Sequence, residues 1–373
     1  MALKLLCVLG TRPEAIKLAP VLKALRARPD QFACRVCVTG QHRELLQPLL
    51  RLFHIRPDYD LKLMQPGQSL QHVAAGVVQG LEPILAREKP DWVLVQGDTT
   101  TTLAAALAAT YAHAPVAHVE AGLRSGNLRQ PFPEEINRRL TDQLARLHLA
   151  PTETARQNLL AEGIPPTRIF VTGNTVVDAL REVAARPFDF ARSPLATLPL
   201  DSRRLVLVTA HRRESFGQPL RQICRAVRQL AGRYPEQIQI VFPVHLNPNV
   251  RASVHKLLGG CGNISLLDPL PYDALLHLLK RSALVLTDSG GLQEEAPVLG
   301  VPVLVLRQLT ERPEGVAAGS ARVVGTDPEA IVAAAAQLLD HPAAREQMAC
   351  VASPYGDGQA APRILAALLE SSP

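Results

Sequence analysis

Aromatic residues make up only 4% of the chain and tryptophan occurs once. No basic run carries interleaved aromatics either, which argues against a nucleic-acid surface, where cations meet phosphates and rings meet bases. No stretch reaches the roughly 18 uninterrupted apolar residues of a membrane helix. The Ala-rich run from Leu103 is broken by Thr110, Tyr111 and His113. The apolar run Leu3 to Leu9 is short, ends at Gly10 and is followed by Arg-Pro-Glu instead of a small-residue cleavage site. It reads as a buried strand and not as a signal peptide, so a soluble, cytoplasmic protein with no membrane partner is expected. Cysteine is sparse, six in 373 residues, mostly inside apolar runs, and buried free thiols are expected. Cys34-x-x-Cys37 has no second pair, and a three-residue offset in a strand points the two thiols to opposite faces, which argues against a zinc or redox pair. No His/Asp/Glu spacing resembles a metal site.

What the chain does have is length, a 47% hydrophobic content and a regular alternation of elements. The length is too great for one ordinary core and predicts two domains. A net charge of +6 suits an anionic ligand, although arginine outnumbers lysine throughout. Short β-branched or Leu-rich runs alternate with helical periods, the pattern of a parallel sheet covered by helices on both faces. Strands are predicted at 4–9, 33–39, 91–96, 115–119, 146–150 and 168–172, then at 204–209, 238–243, 263–267, 283–287, 302–306 and 321–324. Between the two sets, residues 181–204 carry Pro187, Pro194 and Pro199 with no sustained period and read as a linker. The expected layout is a first Rossmann-like domain over 1–180 and a second over 205–355, the α/β class, doubly wound twice. Two such halves imply a cleft lined by the C-terminal ends of both sheets.

Residues 283–300, ALVLTDSGGLQEEAPVLG, read as a strand that stops at Thr287-Asp288 and turns into a helix near Leu292. Ser289, Gly290 and Gly291 at that junction suit an anion, because a helix start offers unpaired N–H groups and glycines bring no Cβ. Glu294 and Glu295 follow one turn in, where a carboxylate can take ribose hydroxyls. An ordinary βα turn with acids favouring the helix start remains the other reading. At the first βα junction, Arg12 is expected just before the helix and Pro13 in its first turn, so that Arg12 and Lys17 can meet a diphosphate. Asp98 ends one strand and either caps the next helix or faces the sheet edge. Glu120 ends another with no helix at once behind it, so capping does not explain it. Glu134 and Glu135 open a helix, where acids are ordinary. His211 and His245 end strands of the second half, where a histidine can donate to a phosphate or act as an acid. His54, His72, His113, His148, His255, His277 and His341 read as structural. Several carboxylates on one sheet edge make acid/base chemistry a candidate.

The segments GTRPEAIKLAP, GQHREL, QGDTTT, HVEAGLRSG, PFPEEINRR, TAHRRESFG, VHLNPNV, TDSGGLQEEAPVLGVP and TERPE, in this order, closely resemble the non-hydrolysing bacterial UDP-N-acetylglucosamine 2-epimerases. The resemblance implies a glycosyltransferase-B-like fold, a homodimer, and a C-terminal helix over 356–373 packing back on the first domain. It implies interconversion of UDP-GlcNAc and UDP-ManNAc for surface polysaccharides, with UDP as the leaving group and no redox cofactor. The family eliminates UDP in the anti sense to give 2-acetamidoglucal, then adds UDP back with C2 protonated on the opposite face. By position, Asp98, Glu120 and Glu134 match its catalytic acids, Lys17 and Arg138 their basic partners, and His211 a catalytic position. Arg12, Ser289, Gly290, Gly291 and Arg312 fall with the diphosphate and Glu295 with the ribose. Leu275 stands where many members place an aromatic on uracil. A second, activating UDP-GlcNAc site would draw on Gln41, His42, Gln68 and His245. The alternatives are a hydrolysing epimerase that releases free ManNAc, and a transferase of the same fold.

Overall fold

Two sheets, each with every strand parallel, organise the chain. The computed structural model describes residues 2–40, 43–65, 67–200, 202–212 and 215–371. The chain divides into one unit of Met1–Ala179 with Tyr355–Pro373 and another of Leu180–Pro354.

In the first unit the elements run β1 (Leu3–Leu9), α1 (Arg12–Arg26), β2 (Phe32–Val38), α2 (Arg43–Leu52), β3 (Tyr59–Asp60), α3 (Leu70–Glu88), β4 (Trp92–Gln96), α4 (Thr100–Tyr111), β5 (Val116–Val119), α5 (Glu134–Leu144), β6 (Leu147–Ala150), α6 (Glu153–Ala161), β7 (Ile169–Val171) and the start of α7 (Thr175–Ala184). The sheet order is β3-β2-β1-β4-β5-β6-β7. Every residue of β4 and β5 is buried, as expected of strands with helices on both faces. The order reverses between β1 and β4, and Gly10 and Gly97 leave the sheet at that point. A Cβ on Gly10 would lie 2.2 Å from Thr39 Oγ1 and 2.5 Å from Thr101 Oγ1, so only glycine fits this exit.

The second unit continues with β8 (Arg204–Thr209), α8 (Gln218–Arg233), β9 (Ile238–Pro243), α9 (Pro248–Leu258), β10 (Ile264–Leu267), α10 (Tyr272–Arg281), β11 (Ser282–Thr287), α11 (Gly290–Val298), β12 (Val303–Val305), α12 (Pro313–Ala318), β13 (Ala321–Val323), α13 (Pro328–Asp340) and α14 (Pro342–Ala349). Its sheet order is β10-β9-β8-β11-β12-β13, with the reversal between β8 and β11. Its core joins Val206, Val208, Leu284 and Leu286 to the apolar faces of α8 and α13. The last helix, α15 (Ala360–Glu370), belongs to the first unit and packs on α1. Its first turn is held by Asp178, whose carboxylate accepts from Ala361 N at 2.9 Å and Ala360 N at 3.2 Å.

Three expectations need correction. The segment 181–204 begins inside α7 and does not run free: Phe188 stacks on His277 at 4.6 Å, Arg281 lies over the Phe190 ring at 4.9 Å, and Leu195 is fully buried. Arg12 is the first residue of α1, with Thr11 in the cap position and Pro13 second. The helix after β11 starts at Gly290, two residues before Leu292, with Ser289 as its N-cap. Cys7, Cys37 and Cys224 are buried free thiols, and burial pushes Cys37 and Cys224 up to about 12, whereas Cys350 is exposed. Among the described residues no helix is long and apolar enough to cross a membrane.

Candidate active site

In the first unit, the reversal point between β1 and β4 gathers the polar residues. Glu14, on the first turn of α1, is 1% exposed and accepts from Gly10 N at 2.9 Å, Thr11 N at 2.6 Å and Thr99 Oγ1 at 2.6 Å. It therefore ties the exit of β1 to the exit of β4. Thr99, not Asp98, caps α4: its hydroxyl accepts from Thr102 N at 3.1 Å. The capping explanation of Asp98 is thereby removed. The Asp98 carboxylate instead takes two bonds from the Arg138 guanidinium on one oxygen, Nε at 3.0 Å and Nη2 at 2.7 Å, while its backbone carbonyl accepts from Asn137 Nδ2 at 2.9 Å.

One strand over, Glu120 leaves β5 in a left-handed conformation, φ 67, which costs a non-glycine residue roughly 1 kcal/mol. Its carboxylate accepts from the Lys17 ammonium and from Gln96 Nε2 at 3.0 Å. Lys17 and Glu120 are both buried, so this is an ion pair in low dielectric. At the start of α5 the adjacent acids divide their work. Glu134 is partly exposed, whereas Glu135 is fully buried and accepts from Ser125 N at 2.9 Å and Arg138 Nη1 at 3.1 Å. Burial would raise the Glu135 carboxyl, but the Ser125 N–H and Arg138 outweigh it and hold it below its ordinary value. Arg138 thus bridges Asp98 and Glu135. Arg12 is partly exposed at the same sheet end.

The second unit builds a different site. Asp288, fully buried at the end of β11, accepts from His211 N and Arg212 N, both at 2.9 Å, and from Ser215 Oγ at 2.8 Å. His211 Nδ1 lies 3.5 Å from its other oxygen. A buried carboxylate that sequence reading passes over therefore fixes the loop carrying His211. At the start of α11, a Cβ on Gly290 would come within 3.2 Å of Arg212 Nη2, 3.6 Å of Glu311 Oε1 and 3.8 Å of Arg312 Nη2. Two guanidinium groups thus flank a helix N-terminus at a point where no side chain projects, a site suited to a phosphate.

Glu311 holds these cations together. It accepts from Arg307 Nη1 at 2.6 Å and Arg212 Nη2 at 3.4 Å. Burial alone would raise its carboxyl, but Arg312, Arg307 and Arg212 together bring it down to about 2. Arg312 is also paired with Glu294, which makes Glu294 a support for the cation. Glu295 accepts from the Tyr272 hydroxyl at 3.1 Å, and Leu275 sits partly exposed on the same helix as Tyr272.

Of the residues expected at an activating second site, two are described, one in each unit. Gln41 and His42 lie outside the described residues, and Gln68 belongs to the first unit, where its Oε1 accepts from Gln65 N at 3.1 Å. His245 stands beside His211 in the second unit, ring centroids 6.0 Å apart and nearly parallel.

The residues missed from sequence are Glu14, Gln96, His118, Asp142, Arg212, Asp288 and Glu311. Most of them are held by bonds across tens of residues, which no local spacing reveals. Glu14 alone carried a local sign, as the acid three residues after Thr11 at a helix start.

The model of the UDP-N-acetylglucosamine 2-epimerase family matches residues 23–369. The UDP-N-acetylglucosamine 2-epimerase of Escherichia coli (strain K12) is 54% identical over 371 residues, covering 98% of each chain. The crystal structure of the UDP-GlcNAc 2-epimerase of Neisseria meningitidis bound to UDP-GlcNAc is 46% identical, with a TM-score of 0.93 over 99% of this chain and 100% of that one. The Methanocaldococcus jannaschii enzyme, solved in complex with UDP-GlcNAc and UDP, is 34% identical with a TM-score of 0.84 over 99% and 100% of the two chains. With the family matched across nearly its whole length, the chain belongs to the UDP-N-acetylglucosamine 2-epimerases.

Proposed function

We propose that this chain interconverts UDP-GlcNAc and UDP-ManNAc without net hydrolysis. The C2 proton of the sugar is not α to a carbonyl, so no enolate is available to ease its removal. Cleavage of the C1–O bond has to lead, with UDP leaving in the anti sense to give 2-acetamidoglucal. UDP then adds back while C2 is protonated on the opposite face. Such a path asks for two things: fixed positive charge for the leaving diphosphate, and acids able to work on both faces of the ring.

The observation that carries this reading is the pair of carboxylates Asp98 and Glu120, at the ends of neighbouring strands, each held by its own cation, Arg138 and Lys17. Two acids in separate charged settings can serve as two distinct proton carriers. Glu134, partly exposed on the first turn of α5, is the third candidate. On the second unit, the Ser289-Gly290-Gly291 helix start with Arg212 and Arg312 suits the diphosphate, and His211, oriented by Asp288, suits donation to a phosphate oxygen. Arg12 is assigned to the diphosphate and Glu295 to the ribose hydroxyls.

The test is isotopic. Incubation with UDP-GlcNAc in D₂O is expected to give UDP-ManNAc and to place deuterium at C2 of both nucleotide sugars. Turnover without deuterium at C2 would defeat the elimination path, and accumulation of free ManNAc with UDP would assign the chain to hydrolysis instead.

A further inference from the structure

We infer that His118 is an imidazolium which, paired with Asp142, positions the two turns that present Asp98 and Glu120. This inference rests on the acid assignments proposed above for the same site.

His118 lies on β5 and is 0% exposed, as is Asp142 on α5, so neither can touch a substrate. The two ring nitrogens of His118 both face acceptors. Nε2 is 2.7 Å from the carbonyl oxygen of Gly97, and Nδ1 is 2.6 Å from Asp142 Oδ1. A carbonyl cannot donate, so Nε2 must carry a proton. The other proton is fixed by what surrounds Asp142. Its Oδ2 accepts from Arg124 Nη2 at 2.7 Å and from Gly122 N at 3.2 Å. The Arg124 guanidinium and the Gly122 N–H can only donate, and both face this carboxyl in a site closed to water, which favours its ionised form. Asp142 is therefore a carboxylate, and Nδ1 donates to it. Only the doubly protonated ring satisfies both contacts.

The remaining groups around the pair fit this charge. His148, on β6, has Nε2 2.7 Å from the Asp142 backbone carbonyl and Nδ1 a longer 3.3 Å from the Arg168 carbonyl, and its pKa is lowered, first by burial. Arg124 also donates to Glu162, Nε at 2.7 Å and Nη2 at 2.6 Å, and from Nη1 to the Leu123 carbonyl at 2.8 Å. Asp142 and the partly exposed Glu162 thus face Arg124 and His118, with Arg139 Nε 3.9 Å from Glu162 on its outer side.

The consequence is mechanical. Through Nε2, His118 holds the carbonyl of Gly97, the residue before Asp98. Through Oδ2, Asp142 holds Gly122 N and Arg124, the residues just beyond Glu120. One ion pair therefore ties both strand exits to α5, the helix that also carries Arg138 and Asn137 on Asp98 and begins with Glu134. The three candidate acids share one positioning device.

Asp142→Asn keeps the shape of the side chain but removes the charge that holds the imidazolium. It is expected to lower kcat by about tenfold or more, because small misplacement of catalytic groups is costly, while KM for UDP-GlcNAc stays within about twofold. His118→Gln should behave alike. An unchanged kcat in folded Asp142→Asn protein, checked by circular dichroism, would overturn the positioning role. So would a rise in KM at constant kcat. A second measurement needs no variant: ¹⁵N-histidine NMR of the wild-type protein at neutral pH should show both His118 nitrogens protonated, and one unprotonated nitrogen would overturn the imidazolium. Should wild type fail to exchange deuterium at C2, the proposed reaction falls, and the NMR result still decides the charge of His118.

Discussion

Replacing Lys17 by Met and Glu120 by Gln, singly and together, separates what this ion pair does for stability from what it does for turnover. Both side chains are more than nine-tenths buried, and the carboxylate also accepts from Gln96. Removing either member leaves a charge in low dielectric, a loss of about 3–5 kcal/mol that the bared group limits by changing its protonation. In a unit of this size each kcal/mol corresponds to about 2–4 °C in Tm, so each single variant should melt roughly 6–20 °C lower. In the double variant neither charge remains, the introduced glutamine can still meet Gln96, and a methionine fills the lysine channel. Its stability should therefore exceed the additive expectation by about 2 kcal/mol or more. Turnover should not follow. If Glu120 carries a proton in the reaction, the double variant remains as inactive as the singles even though it is more stable than their summed losses predict. The assay is a urea titration of each variant beside a coupled UDP-ManNAc assay at saturating UDP-GlcNAc. Additive destabilisation within about 0.5 kcal/mol would show that the pair is not coupled, and recovery of turnover in the double variant would refute Glu120 as a proton carrier.

Two further outcomes bear on the second unit. Gly290→Val places branched carbon where Arg212, Glu311 and Arg312 converge, and titration calorimetry with UDP should show affinity at least about tenfold weaker, or about 1.4 kcal/mol. Unchanged affinity would take Gly290 out of the diphosphate seat. Glu311 is held at about 2, below its ordinary 4.5, so its contribution is fully present above about pH 4.5 and is lost as pH falls toward 2. Urea unfolding of Glu311→Gln should show a loss on the order of 3 kcal/mol at pH 7 that shrinks on acidification, because wild type loses the same contribution. A loss independent of pH between 4.5 and 2 would mean that the carboxylate is not charged by its arginines.

What sequence makes legible here is whatever is decided within a few residues. The runs LLCVL, WVLVQ and LVLT are buried on both faces and announce themselves as parallel strands, while the two-residue β3 is too short to have a period. The prolines of 181–204 break periodicity, yet Phe188 and Phe190 dock the segment on α10, a contact made nearly ninety residues away in sequence. The site divides in the same manner. Its strand-end acids stand out because strand ends are local, but whether an acid works or supports depends on its distant partner. Asp98 looks like a cap until Arg138, 40 residues on, is seen to hold it. Glu134 and Glu135 are indistinguishable as a pair of helix-opening acids; burial sends Glu135 to Ser125 and Arg138 and leaves Glu134 nearer solvent. His118 hides inside an apolar strand, where a histidine looks like core, and its role depends on Asp142, 24 residues later. The residues hardest to find are thus those that hold other residues. In a doubly wound fold the turns at the sheet edge come from distant parts of the chain, so whatever aligns them must be a long-range contact, and buried ion pairs supply it here in both units.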